Sequence, residues 1–319
     1  MIYLKKYGAS LESILSLPLL RCRINSSLAE VAEVRKMGFL EVVINWSHQP
    51  QYPSLEQLAD VLAKIREFAQ DIYLNIENAA DFSAAELTCY WPLLFRYQVQ
   101  RFIYQDQSSR MEPFRVCQNI EILQQAIPCP IEFHGQNAYG LATVNSLAAL
   151  RSGVSHVATA VGGIGLRNHA AMEEVLMAVK HLWKQDHVPS GSTLRLDCLE
   201  ILSYMGISLP VDKALIGSDV FAHESGIHVD GISKNPLLYE VIQPEEVGQT
   251  RRVVVGKHSG TASLKIKFMQ WNLELDQEEA TQMLVKVRRI ASMQKGPLSD
   301  LQLHQLYRAR NEINPSLLS

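Results

Sequence analysis

The sequence predicts an α/β protein built on a parallel sheet, and three observations lead there. Short runs rich in β-branched and aromatic residues recur six times, the segments between them carry apolar residues at helical spacing, and several runs end in polar side chains. Strand and helix alternating in this way favours strands that all run in one direction.

The six runs are LLRCRIN (19–25), LEVVINW (40–46), IYLNIEN (72–78), VQRFIYQD (99–106), IEFHGQN (131–137) and VSHVATAVGG (154–163). Between them, SLEQLADVLAKIREFAQ and MEPFRVCQNIEILQQ are spaced as amphipathic helices. Asn75, Glu77, Asp106, His134, Gln136 and Asn137 fall at the ends of runs. In parallel α/β folds the carboxyl ends of the strands surround the site, so polar groups there are candidates for function. Periodicity does not separate a barrel from a doubly wound sheet, but no GxGxxG follows the first run, which argues against a dinucleotide site.

After the sixth run comes a helical segment, AAMEEVLMAVKHLW, and then a polar stretch, KQDHVPSGST, which is the best boundary. The expected organisation is a first domain over 1–183 and a second over 192–319. The second is mostly helical in pattern, with a motif-rich loop region over 217–260 and two final amphipathic helices, QEEATQMLVKVRRIASM and LSDLQLHQLYRARNEI.

Composition bounds the function. With 319 residues, 47% of them hydrophobic, the chain has apolar material for one large domain and a smaller one. The 30 basic and 33 acidic side chains are interspersed, so no cationic block exists to neutralise a row of phosphates, and nucleic acid is not expected as a partner. No stretch reaches the roughly 18 apolar residues of a membrane span. The start, MIYLKKYGASLES, lacks the pattern of a cleaved leader, and the expected location is cytoplasmic. Five scattered cysteines without a CxxC pair read as reduced, buried thiols.

The most specific string is GSDVFAHESGIHVDGISKNPLLYEVIQPEEVG, followed by VVVGKHSG. Together with IEFHGQNAYGLATVNSLAALRSGVSHVATAVGGIG and RMEPF upstream, it is similar in order and spacing to the acyl-CoA-dependent synthases that make homocitrate, isopropylmalate and related acids, above all the nitrogen-fixation branch. The likeness runs from about residue 19 to near the C-terminus. It implies a TIM-barrel-like fold, here with about six of eight βα units, a pyruvate carboxyltransferase-like first domain, and a C-terminal helical subdomain that carries a lid motif.

The reaction so implied condenses acetyl-CoA with a 2-oxo dicarboxylic acid, 2-oxoglutarate first among them, on a divalent metal (Zn, Mg or Mn). Carried over by position, His228 resembles the base, Tyr239 the hydroxyl that assists it and Glu132 their acidic partner. Glu77 and Ser225 resemble substrate contacts, and His134, Gln136 and His169 fall where the metal is held. General base catalysis and a polarising cation are what a weak carbon acid requires.

The departures are equally specific. The family's His-x-His followed by Asn-Asp or Asp-Asp is here His134, Gly135, Gln136, Asn137, Ala138, so one imidazole has become an amide, a weaker ligand for a transition metal. Asn168 and His169 compete for the next ligand position, with a solvent-facing His169 as the plain alternative. The family's Leu-Arg-Asp-Gly-Glu string is absent from the sequence, and an Arg expected after Glu77 aligns with Asp81. Two unpaired sheet edges are therefore expected. Two readings follow: an enzyme working as a homodimer, or as a heterodimer with a chain that supplies the missing strands, and a catalytically inactive relative kept for assembly or regulation. A metal hydrolase on a similar barrel has no use for the long C-terminal match.

Overall fold

The structure is a computed structural model that describes residues 20–48, 55–165, 168–184, 193–224, 231 and 240–309. The chain divides into two compact units, one holding residues up to Pro189 with Glu200–Ser208, the other Ser190–Leu199 with Leu209–Ser319.

The first unit is a six-stranded sheet in the order β1-β2-β3-β4-β5-β6, every pairing parallel. The strands are β1 (Arg21–Asn25), β2 (Glu41–Ser47), β3 (Asp71–Glu77), β4 (Arg101–Asp106), β5 (Ile131–Gly135) and β6 (His156–Val157). All six expected runs form strands. The last is cut to two residues because its extension leaves the sheet at Ala160, where it bridges Ala171 instead. Between the strands lie α1 (Leu28–Met37), α2 (Leu55–Arg66), the short α3 (Ala84–Leu87) and α4 (Trp91–Arg96), α5 (Pro113–Ala126) and α6 (Ala142–Arg151), with α7 (Met172–Trp183) after β6. Their ends follow local chemistry. Gly38 closes α1 in the left-handed conformation (φ 78°), and Ser83 and Glu86 form a capping box on α3.

One face of the sheet is apolar. Ile24, Val42, Ile44, Ile72, Leu74, Ile76, Phe102 and Phe133 point outward into a core completed by helix residues such as Leu58, Leu62, Ile65, Ile120 and Leu123. The opposite face is polar apart from a small patch of Val43, Tyr73 and Ile103. It is also strongly concave. Arg21 on β1 donates to Glu132 on β5 at 2.8 Å, although three strands separate them. At about 4.8 Å per strand a flat sheet would hold these strands roughly 19 Å apart, beyond the reach of the two side chains, so the sheet curls around an inner lumen.

The second unit contains α9 (Thr261–Met269), α10 (Gln277–Gln294) and α11 (Asp300–Arg308), packed on Val255, Leu264, Phe268, Met283, Val287 and Leu303. Asp276 with Glu279, and Ser299 with Gln302, cap the last two helices. α8 (Leu194–Tyr204) runs across the division between the units. The helical reading of this half missed one feature: Ala222–His223 (β7) pairs in parallel with Arg252–Val253 (β8). Two-residue strands leave too little alternation to register as a pattern. Among the described residues no helix is long and apolar enough to cross a membrane.

Candidate active site

The inner face of the curled sheet is laid out in rows. Arg21 and Glu132 fix which positions of β1 and β5 meet across the lumen, and inward side chains recur every second residue. Two residues further along these parallel strands come Arg23 and His134, and two further Asn25 and Gln136.

The lowest row is ionic. Glu132, 7% exposed, accepts from Arg21 at 2.8 Å and from Arg101 at 3.4 Å. Arg21 also reaches Glu41 at 3.3 Å and lies 4.0 Å over the ring of Tyr73, whose hydroxyl donates to Glu41. Glu132 is thus bracketed by two guanidiniums, one turn of the strand below His134.

The middle row carries the imidazoles. His134 is 8% exposed, as is Gln136 in the row above it. His169 is brought to them by its backbone: it bridges Gln136 in antiparallel fashion, and its N–H donates to Gly163 at 2.8 Å. Its ring turns inward, and Nδ1 lies 3.0 Å from Nε2 of His134. Asn168 is the left-handed residue (φ 58°) that makes the turn. Gly165 (φ 147°) leaves room for the ring, since a Cβ there would lie 2.6 Å from Cδ2 of His169. Burial pushes the His134 pKa down to about 3, helped by the charge of Arg23 and by His169; His169 is lowered by burial and by Arg23. Both rings are neutral at physiological pH.

The upper row consists of amides. Asn75, 1% exposed, donates from Nδ2 to Oδ1 of Asn45 at 2.9 Å and to Oε1 of Gln105 at 2.8 Å, with Asn25 paired to Asn45 in the sheet register. Among the described residues, the buried oxygens Asn75 Oδ1 and Gln136 Oε1, and Nδ1 of His134, have no hydrogen-bond partner. Glu77 stands at the end of β3, partly exposed. Asp106 belongs to the scaffold: it accepts from the N–H groups of Arg110 and Met111 and from Ser108 Oγ, while burial raises its pKa.

The C-terminal motifs are knitted together in the second unit. Glu224 accepts the His258 N–H at 2.7 Å, and Ser259 Oγ donates to the Glu224 carbonyl at 3.1 Å. Glu240 is clasped by Arg251 at 2.7 Å and lies 3.4 Å from His223. His228, Tyr239 and Ser225 lie outside the described residues.

A family model described as HMGL-like matches residues 31–198, more than half of the chain. The chain belongs to the HMGL-like family, with the homocitrate and isopropylmalate synthases. A second family model, described as homocitrate synthase post-HMGL domain-like, matches residues 215–295 of this HMGL-like chain. Among relatives, 2-isopropylmalate synthase 2 of Caldanaerobacter subterraneus subsp. tengcongensis is 42% identical over 65% of the chain and 54% of its own length. Homocitrate synthase 1 of Nostoc sp. is 39% identical over 65% of the chain and 55% of its own length. A putative (R)-citramalate synthase of Methanopyrus kandleri is 31% identical over 75% and 48%. The chain thus spans about half the length of these relatives. Among solved structures, an HMG-CoA lyase of Bacillus subtilis superposes with a TM-score of 0.52 at 16% identity, over 63% of the chain and 76% of the lyase. That supports a TIM-barrel-type arrangement of the six-stranded sheet.

The donor set for a divalent cation fits in part. Two imidazole nitrogens, 3.0 Å apart and hydrogen-bonded to each other, are of the type that holds a divalent cation, and Gln136 offers a buried oxygen with no partner among the described residues. What is missing is an anion: among the described residues no group of three or more His, Cys, Asp or Glu converges on one point. The lumen can therefore hold a cation only weakly on its own.

Proposed function

We propose that this chain carries the acceptor site of an acetyl-CoA:2-oxo acid synthase of the homocitrate synthase type, completed by another polypeptide or a second copy of the chain. The observation that supports this reading is the pair of neutral imidazoles, His134 and His169, set 3.0 Å apart beside Gln136 at the carboxyl end of the sheet.

The reaction removes a proton from the methyl group of acetyl-CoA. A bond then forms between that carbon and the ketone carbon of the oxo acid, the ketone oxygen becomes a hydroxyl, and water cleaves the thioester to release CoA. His228 is proposed as the base, assisted by Tyr239; Ser225 and Glu77 are proposed as substrate contacts. His134, His169 and Gln136 would hold a divalent cation, which supplies polarisation of the ketone and offsets negative charge on its oxygen. Gly165 and the backbone bridge to Gln136 keep the His169 ring facing the lumen. The amides of Asn45, Asn75 and Gln105 offer uncharged hydrogen bonds to a bound acid. Glu132, held between two guanidiniums, is proposed to fix the strand that carries His134.

A second reading has its own support. The absence of a convergent acidic ligand among the described residues favours a noncatalytic relative retained for assembly. An acetyl-CoA consumption assay separates the two. Purified chain is supplied with several 2-oxo acids and Zn²⁺, Mg²⁺ or Mn²⁺, alone and with a polypeptide that carries the Leu-Arg-Asp-Gly-Glu segment. The synthase reading expects CoA release, from the chain alone where a second copy completes the site and only with the added polypeptide where that polypeptide does. CoA release under no condition supports the noncatalytic reading.

A further inference from the structure

The curled sheet stops short of closing on itself. Among the described residues β1 pairs only with β2 and β6 only with β5, so the outer backbone edges of both strands carry no ladder. Burial falls away towards these edges. Every residue of β5 is buried, and in β4 every one but Arg101. In β1, by contrast, Ile24 alone is buried, with Arg23 and Asn25 exposed, and neither residue of β6 is buried. Parallel strands are ordinarily covered on both faces, and a bare edge is a template for another strand.

The curl fixes the width of the opening. β1 and β5 lie four strand steps apart and touch across the lumen through Arg21 and Glu132 at 2.8 Å. In a ring of eight strands, strands four steps apart stand opposite each other, and the interior is just wide enough for side chains from facing walls to fill it. A ring of six would pair β1 with β6, which this sheet does not do. A much wider ring would carry the two walls beyond the reach of an arginine and a glutamate, since diameter grows with strand number. Six of eight places are filled, and two are open.

We propose that the partner of this chain is a separate polypeptide that inserts two parallel strands between β6 and β1, one copy per chain. Parallel neighbours are joined by crossover helices, so each inserted strand brings a helix to the outer face. A second copy of the chain fits the opening poorly. It repeats the same six strands, and any strand it lent would have to leave a sheet whose β2 to β5 are packed into its own core. Joining two copies edge to edge would open the curl that the Arg21–Glu132 contact spans. The proposal rests on the reading of the lumen as a site completed in trans, and it selects the separate polypeptide over the second copy.

Co-expression tests this without turnover. The full chain is produced together with a polypeptide of two βα units that carries the Leu-Arg-Asp-Gly-Glu segment, and separately with each of those units alone. The two-unit polypeptide should co-purify at one copy per chain by native mass spectrometry. Hydrogen exchange at Arg21–Asn25 and at His156–Val157 should slow at least about tenfold in the complex, because both edges gain a ladder. Each single unit should protect at most one edge. A complex with both edges protected but no CoA release sinks the synthase reading and leaves the inserted partner standing. CoA release without protection of the two edges leaves that reading standing and overturns the insertion. Failure of the two-unit polypeptide to bind, full protection of both edges by one unit, or protection of both edges in the chain alone by its own copy overturns it as well.

Discussion

The two faces of one sheet obey different rules. Outward positions of β1 to β5 are filled by Ile, Val, Leu and Phe packed against helices. Inward positions, one residue along the strand, carry arginines, glutamates, histidines and amides. A closed TIM barrel fills its lumen with layers of branched apolar side chains. Here, among the described residues, Val43, Tyr73 and Ile103 form the apolar patch in that place. The difference teaches that stability resides on the outer face and chemistry on the inner one, so substitutions on the two faces should separate in kind.

The largest effect belongs to the outer face. Phe102→Ala, at a fully buried position, should cost about 3–5 kcal/mol through lost burial and a residual cavity, read from the urea midpoint. A cost below about 1 kcal/mol would place the core elsewhere.

Next comes the acid response of the inner face. In the unfolded chain His134 takes up its proton near pH 6.5, whereas in the folded chain it does so only at about pH 3. The unfolded state therefore binds more protons between these values. Stability is full above about pH 6.5 and declines as pH falls towards 3, by at most about 5 kcal/mol from this residue. Urea unfolding at several pH values should show this limb, and His134→Asn should flatten it; an unchanged slope in the variant would contradict the buried, neutral ring.

Glu132→Gln should cost less, about 1–3 kcal/mol, by leaving Arg21 and Arg101 without their shared anion. Double-mutant cycles with Arg21→Met would isolate that pair, and a coupling indistinguishable from zero would mean that the clasp does not hold the curl. The smallest effect is that of Arg23→Ala, within about 0.5 kcal/mol of the wild-type chain, because the guanidinium has no described partner to lose. A large loss of stability there would show that Arg23 holds the scaffold.

Much of this division was legible in the sequence, and the failures have physical reasons. Five of the six strands lie within two residues of the expected runs, because alternating LNIE and EFHGQ patterns and intervening helical spacing are local signals. β6 and the β7–β8 ribbon were shortened or missed because two-residue strands carry no period. His134 and Gln136 were visible as alternate residues of one strand. His169 could not be told from Asn168, since the choice depends on the turn that Asn168 makes and on the space at Gly165. Asn75 was singled out as a polar strand end, but Arg21, Arg23 and Gln105 went unread for another reason: their alternation shows in the sequence, but what they face is set by the curl.

The central claim is that the lumen beside His134 is where the condensation takes place, and its most direct test is CoA release by the chain reconstituted with a polypeptide carrying Leu-Arg-Asp-Gly-Glu, compared between wild type and His134→Ala. The account predicts release that depends on 2-oxoglutarate and falls at least about a hundredfold in the variant. Release undiminished by His134→Ala would contradict it.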